Sequence, residues 1–191
     1  MVLRSSVGIE IQDNFLEESY FKPIRDYVLD YSAKNSSEFN WFMGDVVSDN
    51  DSKKLNYVQF NHLVFCYNQV YSENFYNLIN APHSLLDKLD PYALTRIKLN
   101  LITRHTDVVE SGMHIDVPHA PDVAVTSILY MNTNNGYTRF ETGEKVESVA
   151  NRLVTFPNNL KHTGTSCSDE LYRCVMNIDY IKNNKGLTNL P

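Results

Sequence analysis

The sequence predicts a mainly β fold with flanking helices, preceded by an N-terminal α/β region. From about Pro91 onward, short alternating or β-branched runs are separated by turns rich in Asn, Gly, Pro and Thr, a pattern typical of antiparallel strands. Before that point, strand-like runs alternate with stretches of helical apolar spacing. A chain of 191 residues that is 42% hydrophobic can bury one core, so a single domain over residues 1–191 is expected.

The first part, residues 1–92, is interpreted as a helical and strand support region. Its predicted elements are a strand at 9–11, a helix over 16–31, a strand at 57–67 and a helical stretch over 68–89. Pro23 should mark a kink or a late start of the first helix. Pro82 should interrupt the later helical stretch.

The β core is predicted over residues 93–183, with residues 184–191 as a tail. About seven or eight strands are expected, and the clearest runs lie at 93–104, 122–132, 144–148, 151–156 and 171–181. A sandwich, a jelly roll or a barrel would each use short antiparallel strands of this kind. Periodicity alone does not choose among the three.

Composition excludes several classes of function. The net charge of −6 and the absence of a basic stripe argue against nucleic-acid binding. Three cysteines form neither a disulfide scaffold nor a zinc module. The apolar runs are too short to span a membrane, and the N-terminus lacks a signal-peptide pattern, so a cytoplasmic protein is expected. The predicted partner is a peptide, a protein or a small molecule.

A candidate metal site begins in the stretch GMHIDVPHAPD. In an extended strand, residues i and i+2 point to one face about 7 Å apart, so His114 and Asp116 could bind one metal. His119 lies at odd spacing beyond Pro118 and is excluded as a ligand. The third ligand must come from elsewhere, and His162, in a turn before the last strand, is favoured over His105, His83 and His62.

Two imidazoles and one carboxylate make the facial triad of non-haem Fe(II) oxygenases, which leaves three coordination positions open. Downstream, Arg173 lies in a strand suited to the core. Period two places Arg173, Val175, Asn177 and Asp179 on one face and apolar residues on the other. A buried guanidinium needs an anionic partner, and its planar fork suits a carboxylate of either the protein or a cosubstrate.

These motifs resemble the iron(II)- and 2-oxoglutarate-dependent dioxygenases, particularly the prolyl 4-hydroxylase-like branch. They are His114-x-Asp116, then His162 after 45 intervening residues, then Arg173. Residues 132–156 look closest to small members found in bacteriophages, which would place the protein in the host cytoplasm. The resemblance covers about residues 93–181 and implies a double-stranded β-helix, a jelly-roll barrel with the iron at its mouth.

The resemblance also implies roles for individual residues. His114, Asp116 and His162 would bind iron, and Arg173 would bind the distal carboxylate of 2-oxoglutarate with help from Tyr130. Weaker candidates for the same pocket are Asn177, which shares a face with Arg173, and Asn100, which would replace a tyrosine that many relatives have at the position of Ile102.

The implied reaction hydroxylates a C–H bond with 2-oxoglutarate and O₂, yielding succinate and CO₂, and ascorbate is a possible reductant. A prolyl residue in a peptide is the expected substrate, ahead of a free amino acid or another small molecule. The loops at 105–112, 117–122 and 132–136 are expected to flank it. Because Asp116 keeps its carboxylate, halogenation is disfavoured. The alternatives are a cupin-like metalloprotein acting as isomerase or hydrolase, and a non-catalytic jelly-roll binding module.

Overall fold

The computed structural model describes residues 2–4, 8–29, 39–44, 58–118 and 123–183. The N-terminal elements are β1 (Val2–Arg4), β2 (Glu10–Gln12), α1 (Glu18–Leu29), β3 (Phe42–Gly44), β4 (Gln59–Cys66), β5 (Gln69–Val70), α2 (Glu73–Ile79) and α3 (Leu85–Leu89). The later elements are β6 (Pro91–Thr103), β7 (Ala124–Tyr130), β8 (Tyr137–Phe140), β9 (Lys145–Glu147), β10 (Leu153–Pro157), β11 (His162–Gly164) and β12 (Tyr172–Lys182).

Two antiparallel sheets make up the β structure. The larger has the order β1-β2-β10-β7-β12-β6-β4-β3, with β5 paired to β4, and the smaller has the order β11-β8-β9. Single bridges join Glu110 to Thr165 and His114 to His162, so the segment 110–114 extends the smaller sheet beyond β11. This is the two-sheet arrangement of a jelly roll, and it confirms the mainly β fold class.

Residues from Pro91 onward contribute seven strands in the described part of the chain, in agreement with the seven or eight expected. The N-terminal region adds strands to the same sheet, because β4 pairs with β6 and β2 pairs with β10.

Two apolar clusters hold the layers together. The cluster between the sheets contains Ile128, Tyr130, Phe140, Phe156 and Val175, all buried. A larger cluster packs the helices on the opposite face of the large sheet, and it includes residues of α1, α2, β6 and β12. The large sheet is therefore covered by helices on one side and by the small sheet on the other.

Of the two expectations for Pro23, the late start of the first helix is wrong, because α1 begins at Glu18 and continues past Pro23, and the kink stays a prediction. The proline removes one backbone donor near the N-terminal end. The helix nevertheless buries Phe21, Ile24 and Val28. This tertiary packing outweighs the tendency of proline to break a helix. The interruption predicted at Pro82 is confirmed, since α2 ends at Ile79 and α3 begins at Leu85. No helix of the described chain is long and apolar enough to cross a membrane.

Candidate metal and cosubstrate site

One antiparallel bridge brings the two predicted histidine ligands together. The His114 N–H donates to the carbonyl of His162 at 3.0 Å, and the His162 N–H donates back at 3.1 Å. As a result, the two ring centroids lie 4.9 Å apart. The prediction that His114 and Asp116 share an extended strand is wrong, since His114 forms an isolated bridge and the chain bends at Asp116. His162 opens β11 rather than lying in a turn.

The three predicted ligands converge although the strand geometry differs. One ligand atom from each of His114, Asp116 and His162 lies within 4.8 Å of the other two. The His162 Nε2 is 3.4 Å from Asp116 Oδ2, and the His114 Nε2 is 3.9 Å from Asp116 Oδ1. Ligands about 2.1 Å from a shared metal and at right angles to each other would be roughly 3 Å apart. The donor set and its spacing therefore fit a divalent first-row metal.

Backbone carbonyls orient both imidazoles for metal binding. The Nδ1 of His114 lies 2.9 Å from the carbonyl of Gly112, and the Nδ1 of His162 lies 3.4 Å from the carbonyl of Leu160. An imidazole that donates from Nδ1 keeps its Nε2 lone pair free for a metal. Burial and the neighbouring His162 lower the pKa of His114, which favours the neutral, ligating form.

Asp116 is held by two side chains from the large sheet. The Asn177 amide donates to Asp116 Oδ2 at 3.0 Å, and the Arg96 Nη2 lies 2.9 Å from Oδ1 as an ion pair. Burial alone would raise the pKa of Asp116, but the hydrogen bond to His162 and the charges of His162 and Arg96 hold this pKa well below its usual range. The carboxylate therefore stays ionised inside the fold.

Arg96 bridges two carboxylates, because its Nε also donates to Asp179 Oδ2 at 2.8 Å. The other oxygen of Asp179 accepts a hydrogen bond from Thr126 at 2.8 Å. Burial, with the nearby charge of Asp116, raises the pKa of Asp179 to about 6. The ligand Asp116 is thus tied through Arg96 to a buried polar group deeper in the sheet.

Arg173 lies in the same cavity, farther along β12. Its Nε donates to Ser148 Oγ at 2.7 Å and its Nη2 donates to Thr138 Oγ1 at 3.1 Å, and the side chain is buried. Two glycines leave room for it: a Cβ on Gly136 would lie 2.7 Å from Arg173 Cδ, and one on Gly164 would lie 3.2 Å from Nη1. The guanidinium is therefore fixed in place beside the small sheet.

Most of the site residues predicted from the sequence line one cavity. Its lining consists of Gln59, Asn100, Ile102, His114, Ile128, Thr138, His162, Gly164, Arg173, Val175 and Asn177. The predicted two faces of β12 are confirmed, because Arg173, Val175 and Asn177 line the cavity while Cys174, Met176 and Ile178 pack in the helix-side core.

Tyr130 lies directly behind this lining. Its hydroxyl donates to Thr138 Oγ1 at 2.8 Å, and the Arg173 Cζ lies 5.5 Å from its ring centroid. A direct hydrogen bond from Tyr130 to a cosubstrate stays a prediction. The loop 132–136 lies against the Arg173 end of the barrel, since the Asn135 N–H donates to Asp169 at 3.0 Å.

The other histidines of the described chain take no part in the cluster. Within the described residues, His114, Asp116 and His162 are the one group of three or more His, Cys, Asp or Glu side chains close enough to hold a metal ion. His62 stacks on Phe39 with ring centroids 3.9 Å apart, on the helix side of the sheet. His119, which the sequence excluded as a ligand, lies outside the described residues.

A larger cavity lies elsewhere. It has a volume of about 940 Å³ and is lined by residues that include Asp13, Tyr137, Lys145 and Arg152. It is an open groove whose charges are partly paired, since Arg152 and Asp13 form a salt bridge at 2.5 Å. The smaller cavity at the triad is the one lined by His114, His162 and Arg173.

Several site residues were missed in the sequence. Gln59, Thr138 and Ser148 carry no local signature, and only the fold brings them to the cavity. For Arg96 there was a signal, because in TRIKLNL the polar Arg96, Lys98 and Asn100 alternate with buried Ile97, Leu99 and Leu101. Charged residues at period two in a strand of the core point to a polar interior.

Comparison with known proteins supports the fold. No protein-family model matches the chain, and no curated protein matches its sequence. Among solved structures, a Pseudomonas putida prolyl-4-hydroxylase is similar with a TM-score of 0.58 and 16% identity, over 93% of this chain and 94% of that one.

Two further structures are similar. A prolyl hydroxylase from Trichoplax adhaerens, in complex with a peptide of the hypoxia inducible factor oxygen degradation domain, has a TM-score of 0.61 and 16% identity over 93% of this chain and 84% of that one. The non-heme alpha ketoglutarate dependent epimerase SnoN has a TM-score of 0.63 and 12% identity over 91% and 78%. This chain therefore has the jelly-roll fold of the Fe(II)- and 2-oxoglutarate-dependent oxygenases.

Proposed function

We propose that the protein is an Fe(II)- and 2-oxoglutarate-dependent oxygenase. The observation that carries the proposal is the joint placement of the His114, Asp116 and His162 cluster and a buried arginine, Arg173, in one cavity of this fold. The two imidazoles and the carboxylate would hold Fe(II) on one face. The guanidinium would bind the distal carboxylate of 2-oxoglutarate.

Bound iron would supply the activation of O₂. In the overall reaction, one oxygen atom enters a substrate C–H bond to give an alcohol, and the other enters succinate as 2-oxoglutarate loses CO₂. The residues of the chain supply orientation and charge. Thr138 and Ser148 hold the Arg173 fork, while Arg96 and Asn177 fix the Asp116 carboxylate.

A prolyl residue in a peptide is the proposed substrate. Support comes from two of the similar structures, a prolyl-4-hydroxylase and a prolyl hydroxylase bound to a peptide. The similar epimerase is the reason to include non-peptide substrates in any test. Ascorbate is proposed as the reductant that keeps iron in the ferrous state.

The test is succinate formation from 2-oxoglutarate with Fe(II), O₂ and ascorbate, first without substrate and then with proline-containing peptides. Asp116→Ala should abolish turnover and lower metal affinity, because it removes the anionic ligand. Asp26→Ala, which removes a half-buried carboxylate of α1 that pairs with Lys22 and Arg25, is the matched control and should bind metal and turn over like the wild type. Metal binding without 2-oxoglutarate binding would favour a cupin-like metalloprotein, and a folded protein that binds neither would be a binding module.

A further inference from the structure

The strand β6 carries a polar face that continues beyond the metal ligands. The polar residues Arg96, Lys98 and Asn100 alternate with the buried Ile97, Leu99 and Leu101. Ile102 follows on the same face as the polar residues. Asn100 and Ile102 line the cavity of the triad, and Arg96 reaches Asp116. Lys98, between Arg96 and Asn100 on the same face, therefore also points toward the interior of the jelly roll.

Lys98 has an amide side chain opposite it on one neighbouring strand, Asn177 of β12, and an apolar one on the other, Leu63 of β4. The register also places Asn61 of β4 opposite Asn100. The Gln59 amide donates to Asn100 Oδ1 at 2.9 Å. On the β12 side, and toward Asn100, this sheet face thus offers hydrogen-bond donors and acceptors beside a single ammonium group.

Within the described residues, this face has one fully buried acceptor without a hydrogen bond, Asn177 Oδ1, and one half-buried ammonium group without an ion pair, that of Lys98. Lys98 is half-buried, and no carboxylate of the described chain lies within ion-pair distance of it. The nearest acidic groups of the cluster are already engaged, because Arg96 pairs with both Asp116 and Asp179. The Oδ1 of Asn177 is fully buried and accepts no hydrogen bond within the described residues. A fully buried acceptor such as Asn177 Oδ1 costs free energy unless a ligand satisfies it, and the Lys98 ammonium beside it is available to an anion.

The cosubstrate does not satisfy Lys98. Arg173 lies opposite Ile102 and Asn177 lies opposite Lys98 in the same register, so the two cations are four residues apart along the strands, about 13 Å. A five-carbon diacid anchored at Arg173 and at the metal cannot also extend to Lys98. The Lys98 ammonium group is therefore available to the substrate, which would bind on the side of the metal away from Arg173.

We propose that the substrate carries a carboxylate that Lys98 binds, beside an N–H or O–H group that donates to Asn177 Oδ1. This inference rests on the proposed function and adds a class to it: an anionic substrate. The carboxylate could belong to an acidic side chain near the reacting residue of a peptide, or to a free amino acid. Both sources present the same group to Lys98.

The experiment begins with the wild-type protein alone, where metal binding and substrate-free formation of succinate establish the proposed function. Two probe sets then distinguish the sources of the carboxylate. One contains pentapeptides with a central proline and either Glu or Gln at each other position, and the second contains free amino acids and their carboxamides. The readout is the ratio of kcat/KM for each acid to that for its amide, measured within each variant.

The wild type should prefer the acid of a matched pair by at least about tenfold, a modest value for a desolvated charge pair. Lys98→Gln should bring the ratio near one, Lys98→Arg should retain part of it, and Lys98→Glu should reverse it. Lys22→Gln removes an exposed, distant lysine of α1 and should keep the wild-type ratio. Equal turnover of acids and amides in the wild type, or a ratio unchanged in Lys98→Gln, would overturn the proposal.

Binding supplies a readout independent of turnover. With Zn²⁺ in place of iron and 2-oxoglutarate present, the ¹³C-methylated Lys98 signal, assigned by its loss in Lys98→Arg, should shift with acids and not with amides. A complete lack of response to both probe sets, in turnover and in this signal, also overturns the proposal. Failure of the proposed function is different, because the wild type would then bind no metal or form no succinate even without a probe.

Discussion

Arg96→Gln tests how the ligand carboxylate is held. In the wild type, Arg96 lies between Asp116 and Asp179, whose side chains are 9% and 3% exposed. Removing one partner of a buried ion pair costs about 3–5 kcal/mol. Since Arg96 itself is 17% exposed, we expect a loss of about 3 kcal/mol in the metal-free protein. For a chain of this size, that lowers Tm by roughly 6–12 °C.

The metal-bound protein should lose less. A divalent ion next to Asp116 replaces the positive charge that Arg96 supplied, so the carboxylate is no longer unpaired. The substitution thus costs more stability in the metal-free protein than in the metal-bound protein. By the thermodynamic cycle, the variant binds the metal more tightly than the wild type by that difference in free energy. The increase in Tm on adding Mn²⁺ should therefore be larger in Arg96→Gln than in the wild type.

Thermal unfolding with and without Mn²⁺, together with direct titration of the metal, measures both quantities. Arg152→Gln is the matched control, because Arg152 pairs with the exposed Asp13 and such pairs contribute little. Adding Asp179→Asn to Arg96→Gln should restore part of the lost stability, since one of the two unpaired carboxylates is then gone. An unchanged Tm in metal-free Arg96→Gln, or weaker metal binding in the variant, would refute this electrostatic reasoning.

Three other substitutions probe the small-sheet side. Arg173→Met should raise the KM for 2-oxoglutarate at least about 100-fold and leave metal affinity within about twofold in a metal titration; equal loss of both would make Arg173 structural. Gly136→Ala brings a Cβ to 2.7 Å from Arg173 Cδ, so it should raise the same KM and lower Tm, and a wild-type KM would contradict the packing. The bidentate hydrogen bonds from Arg139 lower the pKa of Glu110 to about 2 from its ordinary value of 4.5. The wild type should therefore lose stability as the pH falls from about 4.5 to about 2. In Glu110→Gln, the midpoint of urea unfolding should depend less on pH over the same range.

The strand content and the orientation of β12 were predictable because they depend on local patterns. Alternation in β12 separates Arg173 and Asn177 from Cys174 and Met176, and the hydrophobic effect then decides which face meets the helix-side core. The choice of His162 as third ligand followed from its place before the last strand. The convergence of His114, Asp116 and His162 was consequently predictable from residue types, order and spacing, and their role as metal ligands stays a prediction.

The local geometry of the site could not be predicted from the sequence in the same way. The pairing of His114 with His162 is a single bridge between segments 48 residues apart in sequence, and no periodic pattern encodes it. The contact of Arg96 with Asp116 depends on how the two sheets stack. The start of helix α1 was also not predictable from local sequence, because the burial of Phe21 and Ile24 outweighs the tendency of Pro23 to break the helix. Contacts between distant segments decide each of these cases.

Charge balance links the site to its ligands. On the cavity-facing sides of β6 and β12 and at the triad, three cationic side chains (Arg96, Lys98, Arg173) face two carboxylates (Asp116, Asp179). This leaves one positive charge without a metal and three with a divalent ion, in a chain whose net charge is −6. In the proposed complex, the dianion 2-oxoglutarate would neutralise two of these charges, and a substrate with one carboxylate would neutralise the third. Because charges separated from water are costly unless balanced, the same count that suits the cosubstrate at Arg173 favours an anionic substrate at Lys98.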